Sequence, residues 1–381
     1  MTDPAPIRDN NEEWRDQARE MVNALVAGGQ LSSLQVKEAM ATVPRHLFAP
    51  DVPAADAYSD AVLTQTRPVG DEDGQHWPSS SLSAPAAVAV PLERLELAGT
   101  ERVLEIGTGT GYVAALLSRL VGASNVYSVD IDPQLITAAT GRLRQLDLAP
   151  TLLARDGYRG LAEHGPYDRI VATCSITHVP PEWIRQLGSG GRIVAPLDGD
   201  RDTPYVVLDK TAPDEVTGHF DHEGGGFMPL RPSLSSPLGP GDTAEITGIR
   251  SLAHHGTTAL DPDRLTHRSP ALALFCRLHL PGLHLPPRPE PGRAAMTEMF
   301  VHQGDSDARI SRSRAPNGRW PVAQSGPRRI WDTIEAAVAA WDLLGHPGPN
   351  RFGISALDNP HRQYVWLDDP LGMYAWPLPA R

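Results

Sequence analysis

Between residues 101 and 208 short β-rich runs alternate with helical segments, and the first junction carries glycine at 107, 109 and 111. The runs are 102–106, 126–130, 151–155, 169–172, 192–195 and 205–208. Helical periodicity fills 112–120 and 133–146, the second opening on Pro133, where proline is favoured. Each parallel strand pair needs a crossover connection, so this alternation predicts an α/β fold: a doubly wound, Rossmann-like parallel sheet covered on both faces. The junction reads Val103-Leu104-Glu105-Ile106-Gly107-Thr108-Gly109-Thr110-Gly111-Tyr112, a buried strand, a tight turn and a helix opening. Glycines let such a turn approach a ligand closely, and the helix start offers free N–H donors.

Two classes of cofactor use a turn of this kind. Gly109-x-Gly111-x-x-Ala114 fits the dinucleotide fingerprint. Glu105 opposes that reading, because a carboxylate at the strand end repels a pyrophosphate. S-adenosylmethionine carries no phosphate; its sulfonium is cationic, and a carboxylate beside the glycines can hold the ammonium of its amino-acid tail. Asp130 ends the next run, 19 residues beyond Gly111, and is followed by Ile131. An acid there accepts from both hydroxyls of an adenosine ribose, which does not separate the two cofactors. Asp156, after the third run, is placed to accept from an adenine amino group, with Gly157 letting the base lie against the backbone. Any one of these acids reads better as a cap on the next helix. Three at successive strand ends point to a pocket made of Glu105, Gly107, Thr108, Gly109, Gly111, Asp130, Ile131, Asp156 and Gly157.

Around this unit the chain divides. Trp14, Ala18, Met21, Val22 and Leu25 lie at helical spacing in 11–27. A second helix is expected to start at Ser32, with Gln35 completing a capping box, and to stop at Pro44. Residues 49–83 are polar and proline-punctuated, with no clear period, and 70–74 reads as an acidic loop. Beyond Gly224-Gly225-Gly226 the alternation fades, and proline and glycine concentrate in 231–243 and 281–293. One further helix is expected at 330–344, with Ile334, Ala337, Val338, Trp341 and Leu344 on one face. We therefore expect a domain over 1–235 and a smaller mixed α+β domain over 236–381.

Composition narrows the function. The 381 residues hold 46 acids against 34 bases, which argues against a nucleic-acid partner. No apolar run approaches the ~20 residues that span a bilayer, and 1–15 lacks the layout of a signal peptide. Cys174 and Cys276 are the only cysteines, too few for a disulfide scaffold, and read as buried small hydrophobes. A cytoplasmic protein is expected. The adjacent pair His254-His255 and the scattered histidines 279, 284 and 302 lack zinc-ligand spacing, so no metal is expected.

Six blocks in order make 30–210 resemble the protein-L-isoaspartate O-methyltransferases. They are Val43-Pro44-Arg45-His46-Leu47-Phe48, Ser81-Leu82-Ser83-Ala84-Pro85, the glycine junction, Asp156-Gly157-Tyr158-Arg159-Gly160, Pro166-Tyr167-Asp168-Arg169-Ile170 and Gly190-Gly191-Arg192-Ile193-Val194. The resemblance implies a class I methyltransferase fold, S-adenosylmethionine as donor and S-adenosylhomocysteine as product. It also implies methyl transfer to a peptide carboxylate, whose ester then closes to a succinimide. Ser83 matches the family's active-site serine, which hydrogen-bonds the acceptor carboxyl, and Ser81 falls where the family usually has threonine. By composition alone 79–83 reads as a flexible serine loop. A carboxylate with an ordinary pKa of ~3.9 is already a nucleophile at neutral pH, so no general base is needed.

There are departures. Ala84 stands where the repair enzymes have glutamine, 63–78 lacks the glycine-containing lead-in, and Thr173-Cys174-Ser175 replaces a run of small residues. In the tail, Phe227-Met228-Pro229-Leu230-Arg231, 364–370 and Trp376-Pro377-Leu378 resemble a branch encoded with ATP-grasp peptide maturases, the graspetide pathways, with lanthipeptide-associated relatives. That branch implies an aspartate in a pre-cyclised precursor peptide as acceptor, ending as aspartimide or isoaspartate. The expected partner is then a precursor peptide, met by a tail in which Arg309, Arg312 and Arg314 offer positive charge or read equally well as a solvated loop, and Trp331, Trp341, Trp366 and Trp376 read equally well as core. A monomer is expected. Two alternatives stay open: a general isoaspartyl repair enzyme with an added domain, and a non-catalytic module that binds peptide or cofactor. A nicotinamide oxidoreductase is more distant.

Overall fold

The structure is a computed structural model, and it describes residues 13–68, 76–197, 204–233, 254–286 and 297–379. Two helices open it. α1 (Glu13–Ala27) buries Trp14, Ala18, Met21, Val22 and Leu25, the face its spacing predicts. α2 (Leu34–Thr42) is capped by Ser33, whose hydroxyl accepts from Val36 N. The expected cap, Ser32, instead donates to Glu93 on a later helix. The short helix α3 (Ala54–Ala57) leads into an antiparallel hairpin of β1 (Leu63–Pro68) and β2 (His76–Leu82). Part of the stretch expected to lack regular structure is therefore paired, and Ser79, Ser80 and Ser81 belong to β2 while Ser83 follows its end. The acidic segment 70–74 lies outside the described residues.

The chain then enters α4 (Pro85–Arg94), β3 (Val103–Ile106), α5 (Tyr112–Val121), β4 (Val126–Asp130), α6 (Pro133–Arg144) and β5 (Thr151–Ala154). It continues through β6 (Tyr167–Ala172), α7 (Pro181–Gln186) and β7 (Leu187–Pro196). β7, β6, β3, β4 and β5 lie side by side in that order, all parallel. Strand order reverses between β3 and β6, and in open α/β sheets the ligand crevice opens beyond the strand ends at such a switch. β8 (Pro204–Ala212) and β9 (Glu215–Gly224) then add to the sheet antiparallel, so it is mixed rather than wholly parallel.

Beyond residue 253 the described chain forms β10 (His254–Thr258), α8 (Asp263–Thr266), α9 (Pro270–His279), β11 (Glu298–Gln303), β12 (Ser306–Ser311), β13 (Trp320–Ser325) and α10 (Ile330–Leu343). β14 (Phe352–Leu357), β15 (Gln363–Leu367) and β16 (Ala375–Pro377) complete it. β10, β13, β12 and β11 make a separate four-stranded sheet. β14 pairs with β9, and β15 and β16 follow, so the main sheet has ten described strands. The expected boundary near 235 falls outside the described residues. Past it, strands are divided between two sheets that share one core.

Alternation on the strands sorts the core. Leu104, Ile170, Ala172, Ile193 and Ala195 point to a cluster that takes in α9, α10, the four-stranded sheet and β14. Val103, Val171 and Val194 point the other way, onto α1, α2 and α5. Trp331, Trp341 and Trp366 are buried and Trp376 packs against the first cluster. The four tail tryptophans are thus core residues. So are Cys174 and Cys276, both free and buried. Among the described residues no helix is long and apolar enough to cross a membrane.

Candidate active site

An open cleft of about 800 Å³ lies at the switch point, and the glycine turn forms its floor. Gly107 and Gly111 have φ of +100° and +90°, in the region that favours glycine. A Cβ on Gly107 would meet Thr173 Oγ1 at 2.8 Å, and one on Gly111 would meet Ala139 Cβ at 2.9 Å. The turn is therefore shaped for glycine on both conformational and steric grounds. Gly107, Thr108 and Gly109 line the cleft, whereas Gly111 precedes α5 and packs against α6.

Two buried acids face this floor. Glu105 is fully buried, and its Oε2 accepts from Ser128 Oγ at 2.6 Å. Ser128 sits opposite Glu105 in the β3–β4 register and is 2.6 Å from Thr108 Oγ1. Ser128 spends its single hydroxyl proton on Glu105, so Thr108 donates to Ser128 in turn. Glu105 Oε1 is buried and has no hydrogen-bond partner. Burial pushes this carboxyl up to about 8, with Ser128 opposing and the Asp130 charge adding to the rise. Asp130 is held by backbone: Oδ2 accepts from Gly109 N at 2.8 Å and Oδ1 from Asp132 N at 3.0 Å. Burial raises its pKa too, while those N–H groups and the charge of Arg231 pull it down. Ile131 lines the cleft beside it.

The remaining expected residues divide. Ser81 and Ser83 line the cleft, and Ser83 lies two positions before Pro85, the first residue of α4. The Ser83 carbonyl is fixed by Arg45, fully buried, whose Nη2 donates to it at 2.5 Å while Nε donates to Ala57 O at 2.5 Å. The Arg45 guanidinium also lies 4.8 Å from the centre of the Tyr112 ring. Gly157 lines the cleft, and its carbonyl accepts from Trp183 Nε1 at 2.8 Å. Asp156 stands just outside, with Oδ1 accepting from Tyr158 N at 3.0 Å and Oδ2 3.9 Å from Arg159 Nε. It caps the short turn that follows, the plainer role open to a strand-end acid.

Several residues in or behind the cleft carried no role in the sequence reading. Ser128, behind Glu105, is a polar residue flanked by Tyr127 and Val129 in a buried strand, which is a readable signal. Thr173 donates to Gly107 O at 2.6 Å, and Ser175 pairs with Pro229 so that 228–231 runs across the cleft. Arg231 is the one cationic side chain lining the cleft among the described residues. By contrast, the tail arginines, open in the sequence to a peptide contact or a solvated loop, have internal partners. Arg309 lies 3.6 Å from Glu298, Arg312 pairs with Asp263, and Arg314 stacks on Trp320. Among the described residues no cluster of His, Cys, Asp and Glu has metal-binding geometry.

The lining fits S-adenosylmethionine and not a dinucleotide. An unpaired buried carboxylate oxygen suits an ammonium and repels a phosphate. Glu105 would hold the amino group of the donor, Asp130 its ribose hydroxyls and Gly157 its base. When bound, the donor supplies an electrophilic methyl group on a cationic sulfonium.

Comparisons with known proteins agree. The family model described as protein-L-isoaspartate(D-aspartate) O-methyltransferase matches residues 16–232. Protein-L-isoaspartate O-methyltransferase 2 of Shewanella sediminis is 40% identical over 201 residues, covering 52% of this chain and 77% of that protein. The Ignicoccus hospitalis enzyme is 38% identical over 197 residues, 51% of this chain and 87% of its own. A solved structure titled protein-L-isoaspartate O-methyltransferase has the same fold, with TM-score 0.53 and 22% identity over 92% of this chain and all of that one. The chain belongs to the protein-L-isoaspartate O-methyltransferase family and is an S-adenosylmethionine-dependent carboxyl O-methyltransferase.

Proposed function

We propose that the acceptor is the side-chain carboxylate of an aspartate in a modified, pre-cyclised ribosomal peptide. The methyl ester then loses methanol to the following backbone nitrogen and leaves an aspartimide, which persists or hydrolyses to isoaspartate. The feature that carries this reading is the acceptor side of the cleft: Ala84 beside Ser83, Thr173 and Cys174 in one wall, and the 228–231 strap over it.

In the proposed chemistry Ser83 donates to one oxygen of the acceptor carboxylate, and the other oxygen attacks the methyl carbon. The C–O bond forms as the C–S bond breaks, and the positive sulfonium and negative carboxylate both become neutral. That charge loss favours a dry site, so Leu82, Val88 and Leu230 assist by excluding water. Alignment rather than proton transfer supplies the rate, because an ionised acceptor carboxylate is already the nucleophile.

A second reading, general repair of isoaspartyl proteins, is favoured by one observation. The Shewanella sediminis protein named protein-L-isoaspartate O-methyltransferase 2 is 40% identical to this chain over 201 residues. Competition separates the two. The chain is incubated with labelled donor, an isoaspartyl hexapeptide, and the cyclised and linear forms of a precursor peptide encoded beside its gene. Preference for the cyclised aspartyl peptide by at least about a hundredfold in kcat/KM supports the proposal. Equal or faster turnover of the hexapeptide overturns it.

A further inference from the structure

We propose that Gln363, in the C-terminal tail, is a positioning residue for methyl transfer, acting through the segment 173–179, whose first two residues line the cleft. Gln363 begins β15 and is 1% exposed. Its Oε1 accepts from Val179 N at 2.9 Å, and its Nε2 donates to Val179 O at 2.7 Å and to Leu357 O at 3.3 Å. One side chain thus satisfies both backbone groups of a fully buried residue 184 positions away, as a neighbouring strand would. Water has no access there to replace it.

The segment it holds is short and reaches the chemistry. Thr173 and Cys174 line the cleft, and Thr173 donates to the Gly107 carbonyl. Ser175 N donates to Met228 O at 3.0 Å and Leu230 N to Ser175 O at 2.8 Å, which seats the strap 228–231. Ile176 N donates to Pro196 O at 3.0 Å, and Val179 follows three positions later. The next attachment of this region to the tail is Arg185 with Asp358, but both side chains are substantially exposed, 53% and 33%. An exposed pair constrains little. The amide of Gln363 is the buried attachment. Without it, Val179 N and O stay buried and unpaired, and the segment shifts to satisfy them, carrying Thr173 and the strap with it.

The donor's own anchors, Glu105 and Asp130, stand on β3 and β4 and do not depend on this contact. A displaced segment should therefore impair alignment of the acceptor more than affinity for the donor. The inference rests on the methyl-transfer activity and not on which peptide is the acceptor.

The test uses the full chain with Gln363→Met, equal in length but without hydrogen bonds. Ile354→Val, on β14 in the same sheet, serves as a control for lost stability. Three readouts are taken: single-turnover transfer to an isoaspartyl hexapeptide with enzyme in excess, Kd for S-adenosylhomocysteine, and hydrogen exchange across 173–179. We expect Gln363→Met to slow transfer at least about tenfold, to change Kd by less than about threefold, and to speed exchange in 173–179 about tenfold. Ile354→Val keeps the wild-type rate. Unchanged exchange and rate overturn the inference, as does an equal rate loss in a control with an equal fall in Tm. If Gln363→Met does not fold, the wild type decides: its Val179 amide must exchange as slowly as the amides of β6, and fast exchange overturns the proposal. The exchange readout needs no acceptor, so its failure is distinct from a wrong choice of peptide.

Discussion

Glu105→Gln should make the unliganded protein more stable and its grip on the donor weaker. The wild-type carboxyl is fully buried, has one unpaired oxygen and titrates at about 8 instead of the ordinary 4.5. A raised carboxyl pKa means stability is fully present below 4.5 and declines as pH rises through about 8. At pH 7 that displacement costs the unliganded fold about 3 kcal/mol, which the neutral amide removes while keeping the bond from Ser128. The Tm of the variant should rise by several degrees. Binding changes the other way, because a charge-assisted bond to the ammonium becomes a neutral one, worth about 1–2 kcal/mol less, or about five- to thirtyfold in Kd. A pH signature accompanies it. Wild-type Kd for S-adenosylhomocysteine should worsen about three- to tenfold from pH 8 to pH 6 as Glu105 takes up its proton and its bond to the ammonium becomes a neutral one, and the variant should show no such slope. Calorimetric titration at both pH values, with thermal melts, measures all of this. A variant that binds as tightly as wild type, or a wild type with flat affinity, would refute the reasoning.

Ser83→Ala should lower kcat/KM for the acceptor about 10- to 100-fold with donor affinity unchanged, measured by labelled methyl incorporation beside calorimetry. Arg45→Met removes the donors of two carbonyls, the buried Ala57 and the part-buried Ser83. It should cost about 2–4 kcal/mol in denaturant titration and slow methyl transfer by displacing Ser83. Gly107→Ala places a Cβ 2.8 Å from Thr173 Oγ1 at a φ of +100°. It should weaken S-adenosylhomocysteine at least about tenfold. Asp221 pairs with Arg94, which holds its carboxyl below the ordinary 3.8. Asp221→Asn should cost about 2 kcal/mol at neutral pH, and the wild-type advantage should vanish as pH falls from 3.8 through the lowered native value.

The donor side of this molecule was legible because its determinants are local. Strand, glycines and helix start occupy one continuous run from Val103 to Tyr112, and Asp130 and Gly157 follow at the ends of strands with plain periodicity. The α1 face was legible for the same reason. Asp156 shows the limit of such reading, since a strand-end acid looks alike whether it meets a ligand or caps the next turn. The hairpin β1–β2 was missed because its residues, from Thr64 to Ser81, are polar and broken by prolines, so no alternation marks a buried face. Ser32 and Ser33 offer the same capping chemistry one position apart, and the reach of Ser32 to Glu93 decides between them.

The tail was least legible because its pairings are non-local. β14 joins β9 across more than a hundred residues, and Gln363 meets Val179 across 184. Nothing in either segment announces its partner. Glu105, by contrast, was named from charge logic alone, and the orphaned Oε1 is the structural counterpart of that logic.

A crystal structure of the full chain with S-adenosylhomocysteine tests the central claim most directly. The account predicts the ligand's amino group within hydrogen-bond distance of Glu105 Oε1, its ribose hydroxyls on Asp130, and its sulfur turned toward Ser83. A ligand bound elsewhere, or bound here with Glu105 Oε1 still unpaired, would contradict it.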